Sequence, residues 1–260
     1  MSERTERYLV PPNRDLVQSV REALALAKRL YREISCEGPI CLVVPSRQNL
    51  RHTALEAGLG KRAMKALLAD KVAMLEGIEC QLQTTATISY EDLGHVAVAF
   101  YARQDMLDEL DDLWEARVII AVPDKMDKIA QWIRTWNPTS PGQEPVDPDP
   151  LIKNPVLEEA LRNITERINL TTGLGHPLDE SYTMGLLKLL GQNGLLEDPA
   201  DIRAWAIRNR WSPDDASHLA RIARECRLGK PLRGGQEWGF NKNTIIRLRE
   251  KALQRGTADQ

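Results

Sequence analysis

The last quarter of the chain carries arginines at a spacing that suits phosphate binding. Arg221, Arg224 and Arg227 recur at every third position, which places them along one side of a helix. The further basic residues around them are Arg208, Arg210, Lys230, Arg233, Lys242 and Arg247. Because a guanidinium group offers several donors to phosphate oxygens, this pattern predicts a surface that contacts DNA or RNA.

An aromatic residue extends this predicted surface. Trp238 lies with Phe240 in a glycine-rich loop before the last helix, which we expect to begin near Asn241. An exposed indole can stack on an unpaired base, so Trp238 is a predicted nucleic-acid contact. The alternative is that both rings anchor the last helix on its neighbours.

The charge distribution supports a basic C-terminal face. Residues 201–260 hold 13 basic and 7 acidic side chains, whereas residues 137–200 hold 4 and 10. Residues 1–136 are nearly balanced, with 18 and 20, so the net charge of -2 conceals the asymmetry. Such asymmetry is typical of a polyanion-binding end. The alternative is that the acidic and basic segments attract each other and are otherwise solvated.

Two predicted helices, at 199–210 and 213–227, are joined by a tight turn within this basic segment. Ser212 is a typical N-cap, and Pro213 suits the first helical position. The arrangement resembles a helix-turn-helix, in which the second helix enters the major groove of DNA. Asp214 and Asp215 would repel phosphates there, and the turn lacks a glycine. A corner of a helical bundle is therefore the alternative.

A second group of polar residues follows three predicted strands, Ile40–Val44, His95–Tyr101 and Arg117–Val122. In open parallel sheets, ligands bind beyond the carboxyl ends of the strands. The residues at these ends are Ser46, Arg47, Arg103, Asp105, Asp124 and Lys125. The cations and the helix N-termini behind them predict a site for a phosphate or a carboxylate. Ordinary capping is the alternative, and it accounts for Asp105 and Asp124.

The sequence contains none of the usual catalytic or cofactor motifs. It has no GxxxxGK[ST], GxGxxG, HExxH or GxSxG pattern, and its four cysteines and four histidines are not spaced as zinc ligands. The acidic run Asp105–Glu115 is predicted as a helix with leucines inward and most of its carboxylates in solvent. We therefore predict no cofactor and no metal site, and no residue receives a catalytic role.

The order of elements indicates the fold class. Residues 1–136 alternate strands and helices, which predicts a Rossmann-like α/β domain with a mostly parallel sheet. Asn13 is the expected cap of its first helix. Residues 137–150 contain five prolines and predict an extended linker. Residues 151–260 show only helical patterns, including expected helices at 151–170 and 182–191, and predict a helical domain with the basic face.

Composition limits the functional classes. No apolar run is long enough for a membrane span, and the charged start is unlike a secretory signal, so we expect a cytoplasmic protein without membrane contact. Its cysteines suit a reducing compartment. Three hypotheses remain: a non-enzymatic regulatory protein that binds nucleic acid, an enzyme acting on a nucleotide or phosphorylated substrate at the strand ends, and an interaction subunit that binds a protein partner or itself.

Overall fold

The computed structural model describes residues 5–35, 38–48, 50–88, 95–112, 116–144, 146, 149–168, 173–232, 235 and 238–258. Contacts within the chain divide it into two compact units, Met1–Asp147 and Pro148–Gln260. The first contains a mostly parallel sheet and the second is helical throughout its described part. The predicted fold class is confirmed.

The α/β unit is built on a six-stranded sheet with the order β1-β6-β5-β2-β4-β3. The strands are β1 (Glu6–Leu9), β2 (Ile40–Val44), β3 (Val72–Leu75), β4 (Ile78–Thr84), β5 (Val96–Phe100) and β6 (Val118–Val122). All neighbouring strands run parallel except β3, which pairs antiparallel with β4 at one edge. Every residue of β2, β5 and β6 is buried, as their uninterrupted apolar sequences predict.

Helices cover both faces of this sheet. They are α1 (Leu16–Glu33), α2 (Ala54–Leu59), α3 (Lys61–Asp70), α4 (Gln104–Asp112) and α5 (Ala130–Trp136). The core on one face combines apolar side chains of α1, α2 and α3 with alternate strand residues such as Leu42. The core on the other face combines α4 and α5 with the intervening residues, such as Cys41 and Val43. This three-layer arrangement leaves the strand ends and the sheet edges as the accessible parts of the sheet.

The second unit consists of α6 (Pro155–Arg167), α7 (Pro177–Gln192), α8 (Pro199–Arg208), α9 (Pro213–Arg227) and α10 (Lys242–Ala258). Four of these helices begin with proline at the first position, after the caps Asn154, His176, Asp198 and Ser212. Proline is favoured there because the first N–H of a helix has no intrahelical acceptor. Helix α9 packs on α7 and α8, whereas α10 packs on α6.

Several predicted boundaries were wrong for local reasons. Asp15, not Asn13, caps α1, because its carboxylate accepts a hydrogen bond from the N–H of Val17. The last helix of the α/β unit, α5, is preceded by a 3-10 turn at Met126–Ile129. Helix α6 is shorter than 151–170, because Asn154 caps it, and α7 starts five residues before the expected Tyr182. Thr139, in the segment expected to be a linker, forms a parallel bridge with Tyr8 of β1.

Candidate functional sites

The residues that follow β2, β5 and β6 come together at the carboxyl ends of these strands. Strand β5 lies between β2 and β6, with Val43 opposite Ala99 and Phe100 opposite Val122. The turns after these three parallel strands are therefore neighbours. Ser46 and Arg47 follow β2, Arg103 and Asp105 follow β5, and Asp124 and Lys125 follow β6.

Most of these residues already have partners within the unit. Arg47 donates from Nη2 to the carbonyl oxygens of Leu67 and Leu68, at 3.2 and 3.0 Å, and so caps the last turn of α3. The hydroxyl of Ser46 accepts a hydrogen bond from the N–H of Gln48 at 3.1 Å. These contacts hold the turn after β2 in place. They give Arg47 a structural role beside the predicted ligand role, which stays a prediction.

The acids at the other two strand ends form ion pairs. Asp105 accepts from Arg103 at 2.9 Å, and Asp124 accepts from Lys128 at 2.7 Å. The expected capping by Asp124 was wrong, since the 3-10 turn that follows starts after Lys125 and has no side-chain cap. The Oδ1 atom of Asp124 is buried and accepts no hydrogen bond from any described residue. This oxygen would accept a hydrogen bond from a ligand that has a donor group, whereas the predicted ligand is a phosphate or a carboxylate.

Asp111 of α4 lies in the interior, although the sequence predicted solvated carboxylates on this helix. Its Oδ1 accepts from Arg7 Nε at 2.7 Å, and its Oδ2 accepts from the indole N–H groups of Trp132 and Trp136 at 2.8 and 2.7 Å. The Arg7 guanidinium also lies 3.5 Å from the centre of the Trp136 ring. Burial raises the pKa of Asp111, while Arg7 and the two indoles favour its ionised form. The cluster joins β1, α4 and α5.

The turn between α8 and α9 is anchored by aromatic packing. Trp211 is buried, and its indole N–H donates to Thr165 Oγ1 of α6 at 2.9 Å. Ser212 caps α9 as predicted, with its hydroxyl accepting from the N–H of Asp215. Ala206 of α8 and Ala216 of α9 are fully buried, and small residues let two helices approach closely. Arg210 adopts a left-handed backbone conformation, with φ of 67°, which serves the role often taken by glycine.

Asp215 is turned into the helical unit. Its Oδ1 accepts from the N–H of Leu174 at 2.9 Å, and its Oδ2 accepts from the hydroxyl of Ser212 at 2.7 Å. Gly173 allows this approach, because a Cβ atom there would lie 2.0 Å from the carboxylate. Asp214 and Asp215 were both expected to repel phosphates. Because Asp215 is turned inward, only Asp214 is exposed.

The outward side of α9 is formed by Ser217, Arg221 and Arg224, which we term the α9 outer face. All three are exposed, and neither guanidinium group has a hydrogen bond or ion pair with another described residue. Arg203 of α8 donates from Nε to Ser217 Oγ at 3.0 Å and so adjoins this face. Arg203 was not predicted from the sequence, since its spacing does not continue the series in α9.

The other predicted basic residues do not all lie on this face. Arg208 donates to the carbonyl of Asp149 at 3.5 Å, and Arg227 donates to that of Glu197 at 3.4 Å. Arg210 and Lys230 are exposed next to the ends of α8 and α9. The remaining residues are Lys242 and Arg247, exposed on α10, and Arg233, which lies outside the described residues.

Trp238 packs against other residues of the helical unit, as in the alternative to nucleic-acid stacking that the sequence left open. Its ring meets Tyr182 edge to face with centres 5.2 Å apart, and the Arg167 guanidinium lies 4.6 Å from the ring centre. Its indole N–H donates to Ser181 Oγ at 3.3 Å. The ring of Phe240 also contacts that of Tyr182, with ring centres 5.2 Å apart. Both rings thus hold the loop against α7.

Two other kinds of feature, a metal site and a membrane-spanning helix, are absent from the part of the chain that the structure describes. No cluster of His, Cys, Asp or Glu suited to a metal ion occurs among the residues that the structure describes. None of the described helices combines the length and apolar character that crossing a bilayer requires.

Part of the chain matches a known protein family. Residues 153–249 match the model of a family described as "Domain of unknown function (DUF1889)". The matched segment runs from the residue before the cap of α6 into α10, and it includes the α9 outer face. No curated protein and no solved structure matches the chain.

Proposed function

We propose that this protein is a cytoplasmic, non-enzymatic regulatory protein that binds nucleic acid through the α9 outer face. The observation that supports this most directly is the pair Arg221 and Arg224, exposed one turn apart without a partner among the described residues. Arginines held on a helix bind phosphates, and they reach base edges when the helix enters a groove. Arg203 and Arg210 extend the cationic area beside them.

The direction of Asp215 removes part of the electrostatic objection. A carboxylate that accepts two hydrogen bonds inside the unit is held away from an approaching polyanion. Helix α9 then presents one exposed acid, Asp214, in its first turn. The α9 outer face follows, with the hydroxyl of Ser217 and the guanidinium groups of Arg221 and Arg224. This order is compatible with the second helix of a helix-turn-helix. The α/β unit would sense a small ligand or bind a partner, with the strand ends as its candidate ligand site.

The proposal is tested by charge reversal on the α9 outer face. Fluorescence anisotropy of labelled duplex DNA, single-stranded DNA and RNA would be measured for the wild type and for Arg221→Glu/Arg224→Glu. We expect the double variant to bind at least about a hundredfold more weakly, because each arginine-to-phosphate contact contributes about 1–2 kcal/mol at low salt.

A matched variant controls for net charge. Arg14→Glu/Arg21→Glu changes two exposed arginines of the α/β unit by the same total charge. It should retain wild-type affinity within about twofold, since long-range effects of exposed charges are screened. Equal losses in the two double variants would contradict a localised site, and absence of binding to every polymer at low salt would contradict the function.

A further inference from the structure

Strand β3 lies at an edge of the sheet, and some of its backbone N–H and C=O groups point outward, away from β4. It pairs with β4 through a two-residue turn at Glu76 and Gly77, both with positive φ. The N–H of Leu82 donates to the carbonyl of Lys71 at 2.7 Å, so in this antiparallel ladder Ala73 and Leu75 bond toward β4. The N–H and C=O groups of Val72 and Met74 therefore face outward, and no described strand pairs with them.

A groove lies beside this edge. It has a volume of about 640 Å³ and runs between β3, α1, the end of α2 and the first turns of α3. Its apolar lining includes Leu24, Leu59, Ala63, Ala66 and Leu75. Volumes of this size accommodate a few side chains or a small ligand. Met74, at the same edge, is 62% exposed.

The rim of the groove is cationic. Arg62 lines the groove, Lys61 and Lys65 are exposed beside it on α3, and no side chain of the three has a hydrogen bond or ion pair with another described residue. The acid that lines the groove, Glu76, is bound to Lys28 at 2.6 Å. The other exposed acids nearby are Asp70, at the end of α3, and Glu79, opposite Met74 on β4, and the exposed Lys71 lies between α3 and β3. The accessible charge next to the β3 edge is thus predominantly positive.

We propose that the β3 edge binds an extended peptide segment of a partner protein that has alternating apolar residues flanked by acids. The segment would pair with Val72 and Met74 through its backbone and so extend the sheet by one strand. Alternate side chains of an added strand point to one face, where the groove would take the apolar ones. The flanking acids would meet Arg62 and Lys65.

A second copy of this chain is a poorer occupant. Maximal pairing of two β3 edges sets Val72 of each copy opposite Met74 of the other. The two α3 helices would then lie on the same side of the joined sheet, with their exposed cations toward each other. Asp70 would also face Glu76 of the other copy. Like charges placed opposite one another destabilise such pairing.

The test uses a fluorescein-labelled peptide of sequence DEVTVTVED and the same peptide with lysine at all acidic positions. Saturable binding of the acidic peptide to the full chain, at least about tenfold tighter than the lysine peptide, is expected. Ala66→Trp fills the groove, and Arg62→Glu reverses a rim charge. Each should weaken binding of the acidic peptide about tenfold. Equal binding of the two peptides would overturn the proposal.

Backbone pairing is tested separately. Met74→Pro removes an outward N–H while keeping the bonds to β4, because proline is tolerated on an edge strand at such a position. It should weaken binding about tenfold, whereas Met74→Ala should stay within about threefold. N-methylation of alternate peptide amides makes the same test without altering the protein. Binding insensitive to both changes would overturn the proposal, as would a dimer in sedimentation that Met74→Pro dissociates.

Discussion

The backbone N–H of Leu174 donates a hydrogen bond of 2.9 Å to the carboxylate of Asp215. This bond ties the 3-10 turn at Gly173–Gly175 to the first turn of α9. It also decides which acid faces outward, because an Asp215 engaged in this way leaves only Asp214 on the exposed side. The electrostatic character of the α9 outer face therefore depends on a contact within the unit.

Gly173→Ala should disrupt this contact. The added Cβ would lie 2.0 Å from the Asp215 carboxylate, and residue 173 has φ of +53°. We expect the free energy of unfolding to fall by about 1–3 kcal/mol in urea titrations. Gly175→Ala is the matched control in the same turn, since a Cβ there meets nothing within 4 Å. Equal stability of both variants would contradict the described packing.

Asp214→Asn should strengthen nucleic-acid binding. The substitution removes the exposed negative charge at the start of α9, and we expect the affinity for duplex DNA to rise about twofold to fourfold at low salt. Glu109→Gln, an exposed acid of α4, makes the same change in net charge elsewhere. An equal gain from Glu109→Gln would indicate a non-specific effect of total charge.

Asp111→Ala should be among the most destabilising single changes in the α/β unit. It leaves Arg7 without its ion-pair partner and two indole N–H groups without an acceptor. We expect a loss of about 3–5 kcal/mol in the free energy of unfolding, measured through tryptophan fluorescence. Asp112→Ala, at the exposed neighbouring position, should change it by less than about 0.5 kcal/mol. A small effect of both would contradict the buried cluster.

The buried carboxyl group also predicts a pH dependence. Because burial raises the pKa of Asp111 above the ordinary aspartate value of 3.8, the folded chain holds this proton more tightly than the unfolded chain. The stabilisation that arises from this pKa difference is therefore fully present below the unfolded pKa and is lost as pH rises through the folded pKa. The stability of the wild type relative to Asp111→Asn should fall over that range. A difference that rises with pH would show that the ion pair with Arg7 dominates.

The cysteines should be unreactive in the folded protein. Cys41, Cys80 and Cys226 are buried and form no disulfide, and burial raises the pKa of Cys80 to about 12 and that of Cys226 to about 11. In a Cys36→Ser variant, we expect no reaction with a disulfide reagent at about pH 8 until the chain is unfolded. Rapid labelling of any of the three native thiols would contradict their burial.

The sequence predicted the centre of the sheet but not the edge formed by β1. Ile40–Val44 and Val118–Val122 are continuous apolar runs, and such runs are buried on both faces of a parallel sheet. Strand β1 has the sequence ERYL and was missed, because it is stabilised by pairing with β6 and by the bridge from Thr139. Neither partner can be recognised from local periodicity.

The candidate sites also contain residues whose positions could be predicted from the sequence and residues whose positions could not. The exposed positions of Arg221 and Arg224 follow from helical spacing alone, since the apolar residues of α9 fix which side is buried. The directions of Asp111 and Asp215 could not be predicted, because their donors lie on other elements, at Trp132, Trp136 and Leu174. Tertiary hydrogen bonds of this kind leave no periodic signal in the sequence.

The central claim is that the α9 outer face binds phosphates, and the salt dependence of duplex DNA binding tests it most directly. The logarithm of the affinity should fall linearly with the logarithm of salt concentration, with a slope of roughly -0.9 per phosphate contacted. Arg221→Glu/Arg224→Glu should make this slope shallower by roughly two such contacts. A slope near zero in the wild type, or the same slope in the variant, would contradict the account.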